Sequence, residues 1–119
     1  IIATTSKAQK SKVEKLQHKG VRVNVLKTKK GLVDMNELMK ELGKSEIALV
    51  MIEGGAELSG NAIKEGIVDK VLIFTAPKII GNGLGPIKNL GIKKVDKAIN
   101  LKNVFTKKIG KDILVEGNL

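Results

Sequence analysis

The 119-residue chain has no cysteine, tryptophan or tyrosine, one histidine, one arginine, two phenylalanines and two prolines. Without cysteine there are no disulfides, no thiolate metal ligands and no sulfur nucleophile. His18 is the sole imidazole, so a protein-made zinc site is excluded. It also falls on the polar side of a helical pattern, and reads as a solvated residue. With only Phe74 and Phe105 there is little on which single-stranded bases could stack. With Arg22 alone there are few planar forks for phosphates or base edges. No apolar run approaches the ~18 residues of a membrane-spanning helix, because charge or glycine interrupts every candidate. The opening Ile1-Ile2-Ala3 has neither an initiator methionine nor the pattern of a signal peptide, and reads as the start of a fragment. A cytoplasmic setting is the expectation, and no membrane partner is expected.

What is present suits one globular domain over residues 1–119: 42% hydrophobic and 29% charged residues. The net charge of +10 is unevenly spread, at +8 over residues 1–31, −3 over 32–85, +7 over 86–111 and −2 over 112–119. Nearly all the basic groups are lysines, which act as flexible point charges, and the plain reading is a solvated basic face. A nucleic-acid site is the alternative.

Periodicity orders the chain as alternating strands and helices. Ile1–Thr4 reads as a strand. Ser11 and Glu14 form a capping box before Val13 and Leu16, with a stop at Gly20, and Val21, Val23 and Val25 alternate into a strand ending near Leu26. After a basic connection, Lys27–Gly31, Asp34 and Glu37 make another capping pair. Met35, Leu38, Met39 and Leu42 then fall at helical spacing up to Gly43. The continuous apolar run Ile47–Ile52 predicts a central strand covered on both faces. Residues 56–65 read as a helix stopped by Gly66, and Val68–Thr75 as a further strand with a parallel neighbour. Residues 81–92 are glycine-rich and read as a surface loop. Val104–Ile109 and Asp112–Glu116, split by Gly110-Lys111, predict an antiparallel hairpin. The methionines Met35, Met39 and Met51 sit at core spacing. The fold class expected is α/β: a mixed, mostly parallel sheet flanked by helices with a C-terminal antiparallel hairpin.

The junction Glu53-Gly54-Gly55 is the point most suited to chemistry. It places a carboxylate and two residues without side chains where a helix begins, and the free N–H groups and dipole of that helix favour a phosphate. The alternative is a tight turn with Glu53 capping the helix. Glu57, in the first turn, would repel a bound phosphate. Gly81-Asn82-Gly83-Leu84-Gly85-Pro86 lacks the spacing of a phosphate loop.

The run Val50-Met51-Ile52-Glu53-Gly54-Gly55-Ala56-Glu57-Leu58-Ser59-Gly60, followed by Gly66-Ile67-Val68-Asp69, Ala76-Pro77-Lys78-Ile79-Ile80-Gly81 and Ile109-Gly110-Lys111-Asp112-Ile113, resembles the C-terminal reductase domain of the bifunctional riboflavin-biosynthesis deaminase/reductase. The similarity extends over essentially the whole chain. It implies a dihydrofolate-reductase-like fold whose N-terminal part is not in this sequence. It also implies NADPH-dependent reduction of 5-amino-6-(5-phosphoribosylamino)uracil to its ribitylamino form. By the resemblance, Glu53 matches the acid that contacts substrate. Gly54, Gly55, Ala56, Glu57, Leu58, Ser59, Gly60 and Asn61 match the turn and helix start that hold NADPH phosphates, and Thr5, after the first strand, is a further cofactor contact. No side chain reads as a dedicated catalytic acid or base, and none as a metal ligand. A homodimer is the expected assembly, and the chain by itself is expected to be inactive or nearly so. A related pterin or pyrimidine reductase of the same fold, or a basic nucleic-acid-binding domain, are the alternatives.

Overall fold

A computed structural model describes all residues, Ile1–Leu119. They form two compact units, Ile1–Met51 and Ile52–Leu119.

The first unit opens with a strand–helix–strand. Strand β1 (Ile2–Thr5) pairs in parallel with β2 (Val23–Leu26), in register from Ile2 opposite Val23 to Thr5 opposite Leu26. Helix α1 (Lys10–His18) crosses between them. The parallel ladder requires this crossover, because two strands pointing the same way cannot be joined by a tight turn. Val13 and Leu16 of α1 and Ile2, Thr4 and Val23 of the strands line one apolar cleft, so α1 covers that face of the pair. The expected Ser11–Glu14 box does not form. The helix begins earlier, at Lys10, with Gln9 as its N-cap and no side chain bonding its free amides. Ser11 is then already inside the first turn, where its hydroxyl cannot cap.

The basic connection after β2 has structure of its own. Strands β3 (Thr28–Lys29) and β4 (Leu32–Val33) form a small antiparallel hairpin. Its two turn residues are both left-handed, Lys30 at φ 51° and Gly31 at φ 82°, the pattern of a type I′ turn.

Helix α2 (Met35–Lys44) follows with the expected cap, in which Asp34 Oδ1 accepts from the amides of Asn36 at 3.0 Å and Glu37 at 3.2 Å. Glu37 does not reach back to close a capping box. Its carboxylate accepts from the Lys27 amide instead, while the Asp34 amide donates to the Lys27 carbonyl at 3.0 Å. The hairpin's base is thereby tied to the start of α2 at both backbone groups of Lys27. Replacing Asp34 with alanine leaves two amides of α2 without a partner, and a loss of about 1 kcal/mol is expected in denaturant unfolding. At the other end Lys44 pairs with Glu41 at 2.6 Å, and this hydrogen bond raises the exposed ammonium's pKa above its ordinary value.

The run Ile47–Ile52 corrects the expectation of a central strand. It joins no sheet, and Leu49 and Met51 are 84% and 72% exposed. An apolar run marks a segment suited to burial, but a strand also needs a neighbour's N–H and C=O groups, and no strand of this chain pairs with it. Met51 accordingly leaves the expected core, whereas Met35 and Met39 are half-buried on α2.

The second unit holds α3 (Ala56–Lys64) and a three-stranded antiparallel sheet in the order β5 (Lys70–Thr75), β7 (Asp112–Asn118), β6 (Lys102–Ile109). A single turn of 3₁₀ helix, Val95–Lys97, precedes β6. The Gly110-Lys111 hairpin forms as expected, with Gly110 at φ 60° in the first turn position, which suits a type II′ turn. The preceding strand does not take a parallel neighbour. It pairs antiparallel with β7 from Lys70 opposite Asn118 to Thr75 opposite Ile113.

Parallel pairing in the chain is thus confined to β1 and β2, and the expected single sheet is three separate ones. The α/β class, the mixed pairing and the C-terminal hairpin stand. One extra residue bulges β6 between Lys102 and Phe105, where Asn103 takes φ 49°. The buried apolar side chains are few: Leu26 on β2, Ala62 on α3 and Leu114 at the middle of β7. Phe74 and Lys107 lie directly opposite Leu114 on its two neighbours. No helix is long and apolar enough to cross a membrane.

Candidate functional site

The site is built at the start of α3. Glu53 and Gly54 are exposed ahead of it, Gly54 at φ 115° and followed by a cis peptide bond to Gly55. Gly55 is the N-cap, with φ −76° and ψ −175°. Its carbonyl accepts the first helical bond, from the Ser59 amide at 3.0 Å, and a second from the Ser59 hydroxyl at 3.3 Å.

The alternative role for Glu53 is not realised, since no side chain caps α3. The amides of Ala56, Glu57 and Leu58 therefore have no protein acceptor, and they carry the positive end of the helix dipole. A Cβ built on Gly54 or on Gly55 would meet nothing within 4 Å. The approach to these amides is open, and a phosphate or pyrophosphate fits there. Glu57 adds a negative charge to the same turn. The Glu53 carboxylate makes neither a hydrogen bond nor an ion pair, which leaves it free to accept from a sugar hydroxyl.

Gly60 is placed differently from the glycines before it. It is buried, and a Cβ there would lie 1.8 Å from the carbonyl oxygen of Lys88. The Lys88 amide in turn donates to the carbonyl of Ala56 at 3.0 Å. The segment around Lys88 is therefore seated on the first two turns of α3, while residues 81–92 form an irregular and mostly exposed loop, as expected. A glycine inside a helix costs about 1 kcal/mol relative to alanine, and that cost was the sequence signal of a close backbone approach. Asn61 is half-buried one residue further on, in the second turn, away from the open amides.

Thr5 lies in the other unit, as the last residue of β1 rather than beyond it. It is half-buried, and its hydroxyl oxygen accepts from the Lys7 amide at 3.4 Å, which leaves the hydroxyl proton to donate. His18, the last residue of α1, is exposed.

A sequence model of the RibD C-terminal domain matches residues 1–115. The chain belongs to the RibD C-terminal domain family. Among relatives of the family, riboflavin biosynthesis protein RibD of Actinobacillus pleuropneumoniae is 37% identical over 98% of this chain and 31% of its own length. The 2,5-diamino-6-ribosylamino-4(3H)-pyrimidinone 5′-phosphate reductase of Aquifex aeolicus is 33% identical over 86% of this chain and 46% of its own. The chain thus spans less than half the length of either protein. A solved structure of Acinetobacter baumannii RibD superposes with a TM-score of 0.74 at 21% identity, covering 89% of this chain and 29% of that one. That likeness establishes the fold, in agreement with the dihydrofolate-reductase-like expectation.

Proposed function

We propose that this RibD C-terminal domain chain is the cofactor-binding part of an NADPH-dependent reductase. Its substrate in that reading is 5-amino-6-(5-phosphoribosylamino)uracil. The observation that carries the reading is the start of α3: three amides without acceptors behind two glycines whose space is open.

In this reading the amides of Ala56, Glu57 and Leu58 hold the cofactor's pyrophosphate, and Gly54 and Gly55 let it approach the backbone. Ser59 fixes the Gly55 carbonyl, and Gly60 and Asn61 belong to the helix body, with Gly60 seating the Lys88 segment. Glu53 accepts from a hydroxyl of the substrate ribose, and Thr5 donates to the cofactor. When bound, the nicotinamide supplies the hydride that converts the ribosyl group to ribityl. Catalysis by the chain's own groups rests on positioning, since none of them is a dedicated proton donor.

Residues 1–119 act as one domain in the proposal, in a cytoplasmic setting and as a homodimer. The dimer is supported by exposed apolar side chains on the antiparallel sheet, such as Phe74 and Phe105 at 60% and 57% exposure. Deaminated and non-deaminated pyrimidines are both candidates, given the Aquifex relative's name.

Titration of the chain with NADPH, followed by nicotinamide fluorescence, tests the reading. Saturable binding at moderate salt is expected, with no turnover of either phosphoribosylamino-pyrimidine by the 119-residue chain alone. Affinity for DNA duplex that falls steeply with salt, without any dinucleotide binding, would overturn it in favour of a nucleic-acid role.

A further inference from the structure

The glycine-rich stretch Gly81-Asn82-Gly83-Leu84-Gly85-Pro86 takes no part in the site at α3, and it holds the chain's one Asn-Gly pair. An asparagine cyclises when the nitrogen of the next residue reaches its side-chain carbonyl carbon. Three conditions govern that step. The nitrogen must be free of a hydrogen bond, the main chain must be able to turn, and the following residue must not obstruct the ring.

Asn82 meets all three. From Ile79 to Ile87 the backbone makes no hydrogen bond within the protein, so the Gly83 amide is left to water. Asn82 and Gly83 are both exposed. Ile80 and Leu84 on either side are 85% and 87% exposed, so no packed side chain holds this stretch in place. Gly81, at φ 92°, and Gly83 leave the backbone wide freedom before and after Asn82.

The other seven asparagines do not meet them. Five lie in helices or strands, which hold the backbone: Asn24, Asn36, Asn61, Asn103 and Asn118. The remaining two, Asn89 and Asn100, each precede a leucine, whose side chain crowds the closing ring.

We infer that Asn82 is a self-modification site, where the chain converts asparagine to aspartate and isoaspartate without an enzyme. The Gly83 nitrogen loses its proton and bonds to Asn82 Cγ, the Cγ–Nδ2 bond breaks, and ammonia leaves with that proton. Water then opens the resulting succinimide at either of its two carbonyls. One opening gives aspartate. The other gives isoaspartate, in which the main chain runs through the former side chain and is longer by a methylene. Water is the only co-reactant, and nothing is oxidised or reduced.

Either product lowers the chain's formal charge of +10 by one. The change marks the age of each molecule with a carboxylate in an exposed loop. The fold does not register it, because nothing packs on residue 82 and Lys88 keeps its own bond to the Ala56 carbonyl.

Incubation of the purified chain in mildly alkaline buffer, followed by peptide mass spectrometry, tests the inference. Asn82 should convert ahead of every other asparagine. A protein isoaspartyl methyltransferase supplied with labelled S-adenosylmethionine should then methylate residue 82. Conversion in the folded chain should keep pace with conversion in urea, because the fold does not restrain the loop. Gly83→Ala is the decisive variant. A Cβ there meets nothing within 4 Å and the backbone is not left-handed, so the fold accepts alanine and the urea midpoint should not fall. Its conversion should nevertheless slow by about tenfold, a barrier higher by ~1.4 kcal/mol.

Survival of Asn82 in the folded chain under conditions that convert it in urea overturns the inference, since the loop would then be held. Undiminished conversion in Gly83→Ala overturns it too, as does earlier conversion at another asparagine. None of these outcomes touches the cofactor reading, which concerns the start of α3.

Discussion

Alanine at Gly60 is expected to destabilise the second unit by about 3 kcal/mol and to weaken NADPH binding with it. A Cβ at this position would lie 1.8 Å from the Lys88 carbonyl oxygen and 2.9 Å from its carbonyl carbon, and both are backbone atoms that cannot swing aside. The opposing term is the gain in helix propensity from glycine to alanine, about 1 kcal/mol, so the clash wins. Relief comes only if the segment around Lys88 lifts away from α3, which breaks its bond to the Ala56 carbonyl.

Gly43 provides the internal control. It also lies in a helix, α2, at an ordinary negative φ, and a Cβ there meets nothing within 4 Å. Gly43→Ala should therefore raise the urea midpoint while Gly60→Ala lowers it. Midpoints that move in the same direction would show that Lys88 is not seated where the structure places it.

Aspartate at Gly55 is the second large effect, with opposite signs in two measurements. Gly55 has an extended backbone that any residue adopts and open space around its Cβ position. An N-cap aspartate would bond the free amides of α3 and raise stability by roughly a few tenths of a kcal/mol. The same carboxylate would occupy the place proposed for the pyrophosphate and repel it, and NADPH affinity should fall about 100-fold. If Gly55→Asp stabilises the chain and binds NADPH as well as before, the amides of Ala56 to Leu58 do not hold the cofactor.

These two glycines also mark the limits of what could be read from residues alone. Gly55 was recognisable because a glycine pair before a helix has a local meaning, whereas Gly60 needed its partner, and Lys88 lies far along the chain. Local chemistry was legible wherever it was sufficient. Asp34 accepts from amides two and three residues on, and Gly110 turns the chain between strands that pair with each other. The amphipathic spacing of α2 was likewise enough to define it.

Pairing between distant segments was not legible. Nothing in Lys70–Thr75 says that its neighbour runs antiparallel, because the alternation of strands with helices argues equally for a parallel one. The apolar run Ile47–Ile52 has a strand's composition without a ladder. Ser11 and Glu14 matched a capping pattern, but Gln9 and Lys10 had already begun the helix.

The position of β7 in its sheet has a consequence for how the chain is made. β5 and β6 hydrogen-bond to β7 and not to each other, and both precede it in the sequence. During vectorial synthesis the two flanking segments emerge first and wait without a template. The sheet closes only once residues 112–118 have cleared the ribosome, so its assembly is a late, all-at-once event. A premature stop anywhere before β7 yields a polypeptide with two apolar flanks and nothing to join them, a ready client for chaperones and proteases.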